Sequence, residues 1–178
     1  MKNKFWLSAT VLFLFPLAVF CQTKWKTTSS EVVFKIKNAG FTVTGRFGGF
    51  NGQLAFSPDK LQSSSLKGSV QVGTIKTGID KRDADLKEEK YFNEGKYKTI
   101  SIKSTKLYKK GNQYAGLFNV TIKGVTKQME IPFTFTQHGK EAEFKGSLTI
   151  SRKQFGIGGP TLTMSDEANV SIVVKATE

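Results

Sequence analysis

The chain is poor in the residues that most site chemistry requires. Its 178 residues include one cysteine, one histidine and four prolines. The cysteine, Cys21, closes an apolar N-terminal run, so the sequence after it contains neither a disulfide nor a thiol nucleophile. With a single histidine and no cysteine pair, zinc sites of the usual nitrogen and sulfur kind are excluded. His138 lies in the polar stretch Gln137-His138-Gly139-Lys140, the setting of an exposed turn, and the serines have no histidine or cysteine partner to activate them. Asp80, Asp83 and Asp85 miss the ligand spacing and the central glycine of a calcium loop. No catalysis, metal or other cofactor is expected.

What is there begins with a leader. Lys2 and Lys4 precede an apolar run from Phe5 to Phe20, and Cys21 is followed by polar Gln22-Thr23-Lys24. Residues 1–21 read as a secretory signal peptide, with Val19 and Cys21 at the cleavage positions and residues 22–178 as one mature domain. The run is short for a membrane span. The alternative is a lipoprotein anchored through an acylated Cys21, which bulky Phe20 disfavours. Cleavage places the protein in the periplasm or outside the cell.

Acidic residues are also in short supply. The formal charge is +13, falling to about +11 without Lys2 and Lys4. Such a balance suits an anionic membrane surface, for transient contact, or an acidic head group. The lysines alternate along strands, as at Lys35, Lys37, Lys103, Lys145 and Lys175, which is the pattern of solvated sheet faces. Most phenylalanines lie on the opposite, apolar faces, so the stacking platform of a single-strand nucleic-acid binder is not expected.

Apolar residues recur with a period of two. Phe34 and Ile36 share a face, and Val43, Gly45 and Phe47 share another before Gly48-Gly49. Leu66, Gly68, Val70 and Val72 follow a turn at Ser57-Pro58-Asp59-Lys60. Later come Ile100 and Ile102, then Phe118, Val120 and Ile122, then Ile131, Phe133 and Phe135, then Phe144, Leu148 and Ile150, and last Val170, Ile172 and Val174. One apolar and one polar face per strand predicts an antiparallel sheet. The connections Lys110-Gly111-Asn112, Lys123-Gly124 and His138-Gly139-Lys140 predict hairpins, and about eight hairpin-linked strands can close into an all-β, up-and-down barrel. A two-sheet sandwich would call for long crossovers, which are not evident.

One stretch departs from this pattern. Lys81 to Lys90 favours helix over sheet; Asp80 is placed to cap it, Asp83 to complement its dipole, and Asn93 to Gly95 to stop it before a strand beginning at Tyr97. A single short helix is predicted within the barrel protein.

Several of these segments resemble a known family. Phe34-Lys-Ile-Lys, Thr74-Ile-Lys-Thr-Gly, Lys81-Arg-Asp-Ala-Asp-Leu, Lys90-Tyr-Phe, Tyr97-Lys-Thr-Ile-Ser-Ile-Lys-Ser, Leu117-Phe-Asn-Val-Thr-Ile-Lys-Gly-Val-Thr and Ile150-Ser-Arg-Lys-Gln-Phe-Gly-Ile, in this order and spacing between Trp25 and Thr177, look like the YceI-like lipid-binding proteins. The resemblance implies a lipocalin-like barrel with an apolar cavity for a polyisoprenoid or fatty-acyl lipid. Asn38 and Ala84 stand where many members have histidine, which leaves histidine-dependent chemistry without support.

The candidate lining follows from the inward faces. Phe34, Ile36 and Phe47 would come from the first strands, Val70, Ile100 and Ile102 from those flanking the helix, and Phe118, Val120, Ile131 and Phe133 from the central hairpin. Phe144, Leu148, Phe155 and Ile172 complete it. Lys76 and Arg82 are candidate head-group contacts, with pairing of Arg82 to a neighbouring carboxylate as the alternative, and Arg152 reads the same way. A barrel whose core is filled and holds no lipid remains the competing reading, since core and cavity phenylalanines look alike in sequence. The oligomeric state is open, a homodimer included.

Overall fold

The structure, a computed structural model, describes residues 23–178. The expected signal peptide therefore lies outside the described residues. Nine strands are present: β1 (Lys24–Asn38), β2 (Phe41–Phe47), β3 (Asn51–Ala55), β4 (Ser65–Gln71), β5 (Thr99–Lys110), β6 (Gln113–Ile122), β7 (Val125–His138), β8 (Glu141–Ser151) and β9 (Met164–Thr177). Each pairs antiparallel with its neighbours, and β1 pairs with β9 to close the sheet. β2 and β3 lie end to end along one edge of β1, β2 against Val32–Asn38 and β3 against Lys24–Trp25. They form one stave broken at Gly48-Gly49, and the barrel has eight staves. Closure satisfies the backbone groups that an open sheet would leave at its edges.

The break has a structural purpose. Only β3 continues the sheet to β4, so β2 is left without a strand on its outer side. The chain between β4 and β5 fills that place: Arg46 and Lys76 exchange backbone hydrogen bonds of 2.8 and 3.0 Å. Gly45 allows this close approach. A Cβ there would lie 2.2 Å from the Phe34 ring on β1 and 2.9 Å from the Thr77 methyl.

The helix is α1 (Asp80–Lys87), shorter than expected. Ile79, in extended conformation, occupies the cap position, and no side chain caps the helix there, so Asp80 is its first residue and not its cap. Asp83 takes over the entry instead. Its Oδ1 accepts from the Thr77 backbone N–H at 2.8 Å and from the Thr77 hydroxyl at 2.6 Å, tying the first turn to the preceding strand-like segment. Glu88 is extended and ends the helix, and β5 begins at Thr99, after Tyr97 has packed its ring against Gly124. Two short 3-10 turns, Val72–Thr74 and Arg152–Phe155, were not anticipated.

The two barrel ends differ. At one end lie the β1–β2, β4–β5, β6–β7 and β8–β9 connections, including α1. At the other, Trp25, Phe56, Tyr114, Phe133, Phe135 and Phe144 form an aromatic cluster with ring centres 4.9–6.4 Å apart, and the Trp25 indole N–H donates to the Phe56 carbonyl at 2.9 Å. Such a cluster, mostly edge-to-face with some tilted and stacked rings, fills much of that end.

Candidate functional site

Toward the helix end the interior is no longer filled. A cavity of about 140 Å³ lies there with an almost wholly apolar wall. From β1 and β2 come Val32, Phe34, Ile36 and Phe47; from β4 and β5, Val70, Ile100 and Ile102; from the central strands, Val120 and Ile122. Leu148 and Ile150 on β8 and Ala168, Val170 and Ile172 on β9 complete the circle, while Leu86, Tyr91 and Phe92 reach in from α1 and the turn after it. The register explains the convergence: Val32 faces Ile172, Phe34 faces Val170, and Ile36 faces Ala168, so one alternating face of each strand points at one axis.

A second cavity of about 70 Å³ lies deeper, bounded by Leu54, Leu66, Phe118, Ile131, Phe133 and Phe144. Phe50, Gly68, Ile102 and Ile172 border both. Phe50 is the largest of the four. Its ring lies across Gly52 and Gly68, where an added Cβ would come within 2.7 and 3.0 Å of it.

Of the residues expected from the sequence, Phe34, Ile36, Phe47, Val70, Ile100, Ile102, Val120, Leu148 and Ile172 thus surround the larger cavity, and Phe118, Ile131, Phe133 and Phe144 the deeper one. Phe155 lines neither and is packed into the core at 1% exposure. Missed were Val32, Ile122, Ile150 and Val170, which share a strand face with residues already named. Phe50, Leu86, Tyr91, Phe92, Ile157 and Met164 also went unnamed as cavity wall; they belong to connections or strand ends, where periodicity does not speak.

The basic candidates stand at the helix. Arg82 donates from Nε to the Thr77 hydroxyl at 2.8 Å and from Nη2 to the Thr77 carbonyl at 2.9 Å. Lys76 lies 3.5 Å from Asp80 Oδ1 and 3.6 Å from Asp83 Oδ2. The Thr77 hydroxyl bond holds the Asp83 carboxyl below its ordinary value of 3.8, helped by the Thr77 N–H and the Lys76 charge and opposed by burial. These groups seat the helix.

Arg152 touches the cavity from β8's end and is 2% exposed. Its donors are directed at the β8–β9 loop and the start of β9: Nε to Ser165 O at 2.9 Å, Nη1 to Ile157 O and Gly159 O at 2.9 and 2.6 Å, and Nη2 to Asp166 at 3.2 Å. A buried guanidinium satisfied in this way orders the loop and leaves no donor for a ligand. Among the described residues no group of histidine, cysteine, aspartate and glutamate side chains is placed to hold a metal ion.

The comparisons agree with this architecture. A family model described as a YceI-like domain matches residues 24–176. A UPF0312 protein of Pseudomonas paraeruginosa is 29% identical over 133 residues, covering 71% of this chain and 70% of that protein, and a UPF0312 protein of Vibrio cholerae is 28% identical over 74% of each. Among solved structures, Burkholderia cenocepacia BcnA is similar at 26% identity with a TM-score of 0.79, covering 83% of this chain and 96% of that one. A polyisoprenoid binding domain from Saccharophagus degradans shares the fold at 14% identity and a TM-score of 0.63, covering 86% and 97%.

Proposed function

Because this chain belongs to the YceI-like family, we propose that it is a non-catalytic carrier that holds a polyisoprenoid, or another long-chain amphiphile, with its tail in the barrel. One observation supports this most directly. Around the 140 Å³ apolar space at the helix end, inward-facing Phe34, Ile36, Phe47, Ile100, Ile102 and Val170 are only half-buried, although Val32, Val70, Val120, Ile122, Leu148 and Ile150 of the same wall are buried. A filled barrel would leave no such space. Apolar side chains that face inward and still meet solvent are what an apolar tail would cover.

Each isoprene unit taken out of water contributes on the order of 2–4 kcal/mol before ordering costs. A cavity near 150 Å³ accepts a benzene-sized molecule, so the 140 Å³ space holds about one such unit at rest. Longer tails require wall side chains to move. The head group would remain at the helix end, where Lys76 is 64% exposed and able to exchange Asp80 for an anionic group, while Arg82 stays with Thr77. Residues 1–21 act in this reading as a signal peptide, giving a periplasmic or secreted protein that begins at Gln22. The Saccharophagus degradans domain of the same fold makes polyisoprenoids the first ligands to test.

Native mass spectrometry of the protein purified from its own cell envelope tests the proposal. A bound species with the mass of a long-chain lipid is expected. A ligand-free, folded protein that also fails to take up any isoprenoid or fatty-acyl competitor overturns it in favour of the filled barrel. The intact mass reads processing in the same experiment, since a diacylglycerol-modified Cys21 replaces the soluble carrier with a tethered one.

A further inference from the structure

Four large hydrophobic side chains are exposed among the described residues: Phe41 (77%), Ile79 (53%), Val125 (36%) and Leu162 (106%). Each belongs to a different connection, and all the connections lie at the same barrel end. Phe41 follows the β1–β2 turn, Ile79 leads into α1, Val125 follows the β6–β7 turn, and Leu162 is in the β8–β9 loop. The aromatic end contributes none. Scattered single apolar residues are ordinary on a surface, but a set gathered around one opening marks a contact.

The four are carried on a connected rim. The Ala39 N–H donates to the Thr163 carbonyl at 2.8 Å, joining the Phe41 turn to the Leu162 loop. Lys123 Nζ donates to the Gly156 carbonyl at 2.8 Å, and the Gly158 N–H to the Lys90 carbonyl at 2.8 Å, joining the Val125 turn, the Leu162 loop and the segment after α1. Ile79 is linked through the Arg46–Lys76 bridge. Leu86, Ile157 and Met164 of the same connections and their edges line the larger cavity, so the rim surrounds its helix-side end.

Charge decides what such a rim would meet. Residues 32–58 and 144–165, which hold Phe41 and Leu162, contain no aspartate or glutamate and include Lys35, Lys37 and Arg46, while Lys145 and Lys153 are paired with Glu143 and Asp166 at 2.6 Å each. The acids of this end are concentrated on and just after α1, with Asp166 and Glu167 at the start of β9. Two copies meeting through the Phe41–Leu162 sector would bring like charge to like charge. No helix among the described residues is long and apolar enough to cross a membrane. We propose that the helix end docks on an anionic lipid bilayer, with Phe41 and Leu162 entering the interface and the flanking lysines and Arg46 meeting the head groups, so that the cavity faces the membrane.

Docking does not depend on the identity of the proposed cargo, and the two are measured separately. Full-length mature protein is co-sedimented with vesicles of phosphatidylcholine alone or mixed with phosphatidylglycerol, and uptake of a soluble fluorescent acyl probe is read without vesicles. Binding to the mixed vesicles, weakened by salt, is expected to fall roughly tenfold or more in Phe41→Asp/Leu162→Asp, with melting temperature and probe uptake unchanged. Phe41→Trp should show a blue-shifted emission on the same vesicles, a readout that needs no loss of function. Equal partitioning of wild type and the double variant, or no vesicle binding by wild type, overturns the proposal. Loss of a concentration-dependent dimer without a vesicle effect also overturns it and assigns the surface to a second copy. Vesicle binding that persists while the probe is never taken up supports the docking and sinks the carrier.

Discussion

If the barrel holds an apolar tail as proposed, Phe50 should set how long a tail it accepts. Its ring borders both cavities, of about 140 and 70 Å³, and rests on the bare backbone at Gly52 and Gly68. Phe50→Ala should join the two spaces and add the volume of the ring. A phenylalanine truncated in a packed core costs about 3–5 kcal/mol; Phe50 is half-buried with space on two sides, so about 1–2 kcal/mol is expected. Against this, one more isoprene unit can leave water, contributing about 2–4 kcal/mol, and each 1.4 kcal/mol is about tenfold in affinity. The assay is displacement of a fluorescent acyl probe by prenyl alcohols of increasing length. For wild type, affinity should rise with length and then level; in Phe50→Ala the levelling point should move by at least one isoprene unit, with longer alcohols favoured roughly tenfold. A levelling point that stays put, in a variant whose stability falls as predicted, refutes this role for Phe50.

Other substitutions test the parts that frame the cavity. Asp83→Asn should flatten the acid limb of stability: a carboxyl held below its ordinary 3.8 stabilises the fold above that value and loses the contribution as pH falls through and below it, so wild-type urea midpoints should drop more steeply between about pH 5 and pH 2 than those of the variant. Arg152→Met should cost about 3 kcal/mol or more in denaturant titrations, because the carbonyls of Ile157, Gly159 and Ser165 lose their donor, and should speed hydrogen exchange in residues 156–164. Ala39 sits at φ 49° beside Gly40 at φ 82°, a turn that suits Asn-Gly, so Ala39→Asn should raise the urea midpoint by about 0.5–1 kcal/mol equivalent without changing the slope. His138→Ala and chelator treatment should leave stability and probe retention unchanged; a large drop in either would show that a metal or acid-base site had been overlooked.

The barrel was legible because its signal is local and repeated. Alternation at Phe34 and Ile36, at Phe118 and Val120, or at Phe144, Leu148 and Ile150 follows from the strand period alone, and closure follows from having many such strands joined by hairpins. The helix was legible as composition but not in detail, because the group that anchors it, Asp83, binds Thr77 across the turn and not along the helix. Phe50 was harder still. It lies where Gly48-Gly49 interrupts the period, and only the packing of β3 against β4 shows where its ring comes to rest. Leu86, Tyr91 and Phe92 face the cavity because the β4–β5 segment docks beside β2, a long-range event with no trace in the spacing of those residues.

The barrel is closed by its first and last strands, with β1 paired to β9 from Lys26–Thr177 to Asn38–Met164. Contacts of such sequence separation are formed late, after the loop entropy of nearly the whole chain has been overcome. During synthesis β1 has its hairpin with β2 but waits for β9, and no N-terminal portion can complete the wall alone. Under the export proposed above, the native barrel would become available only when its last residues have arrived, and until then its apolar interior would need shielding from other chains.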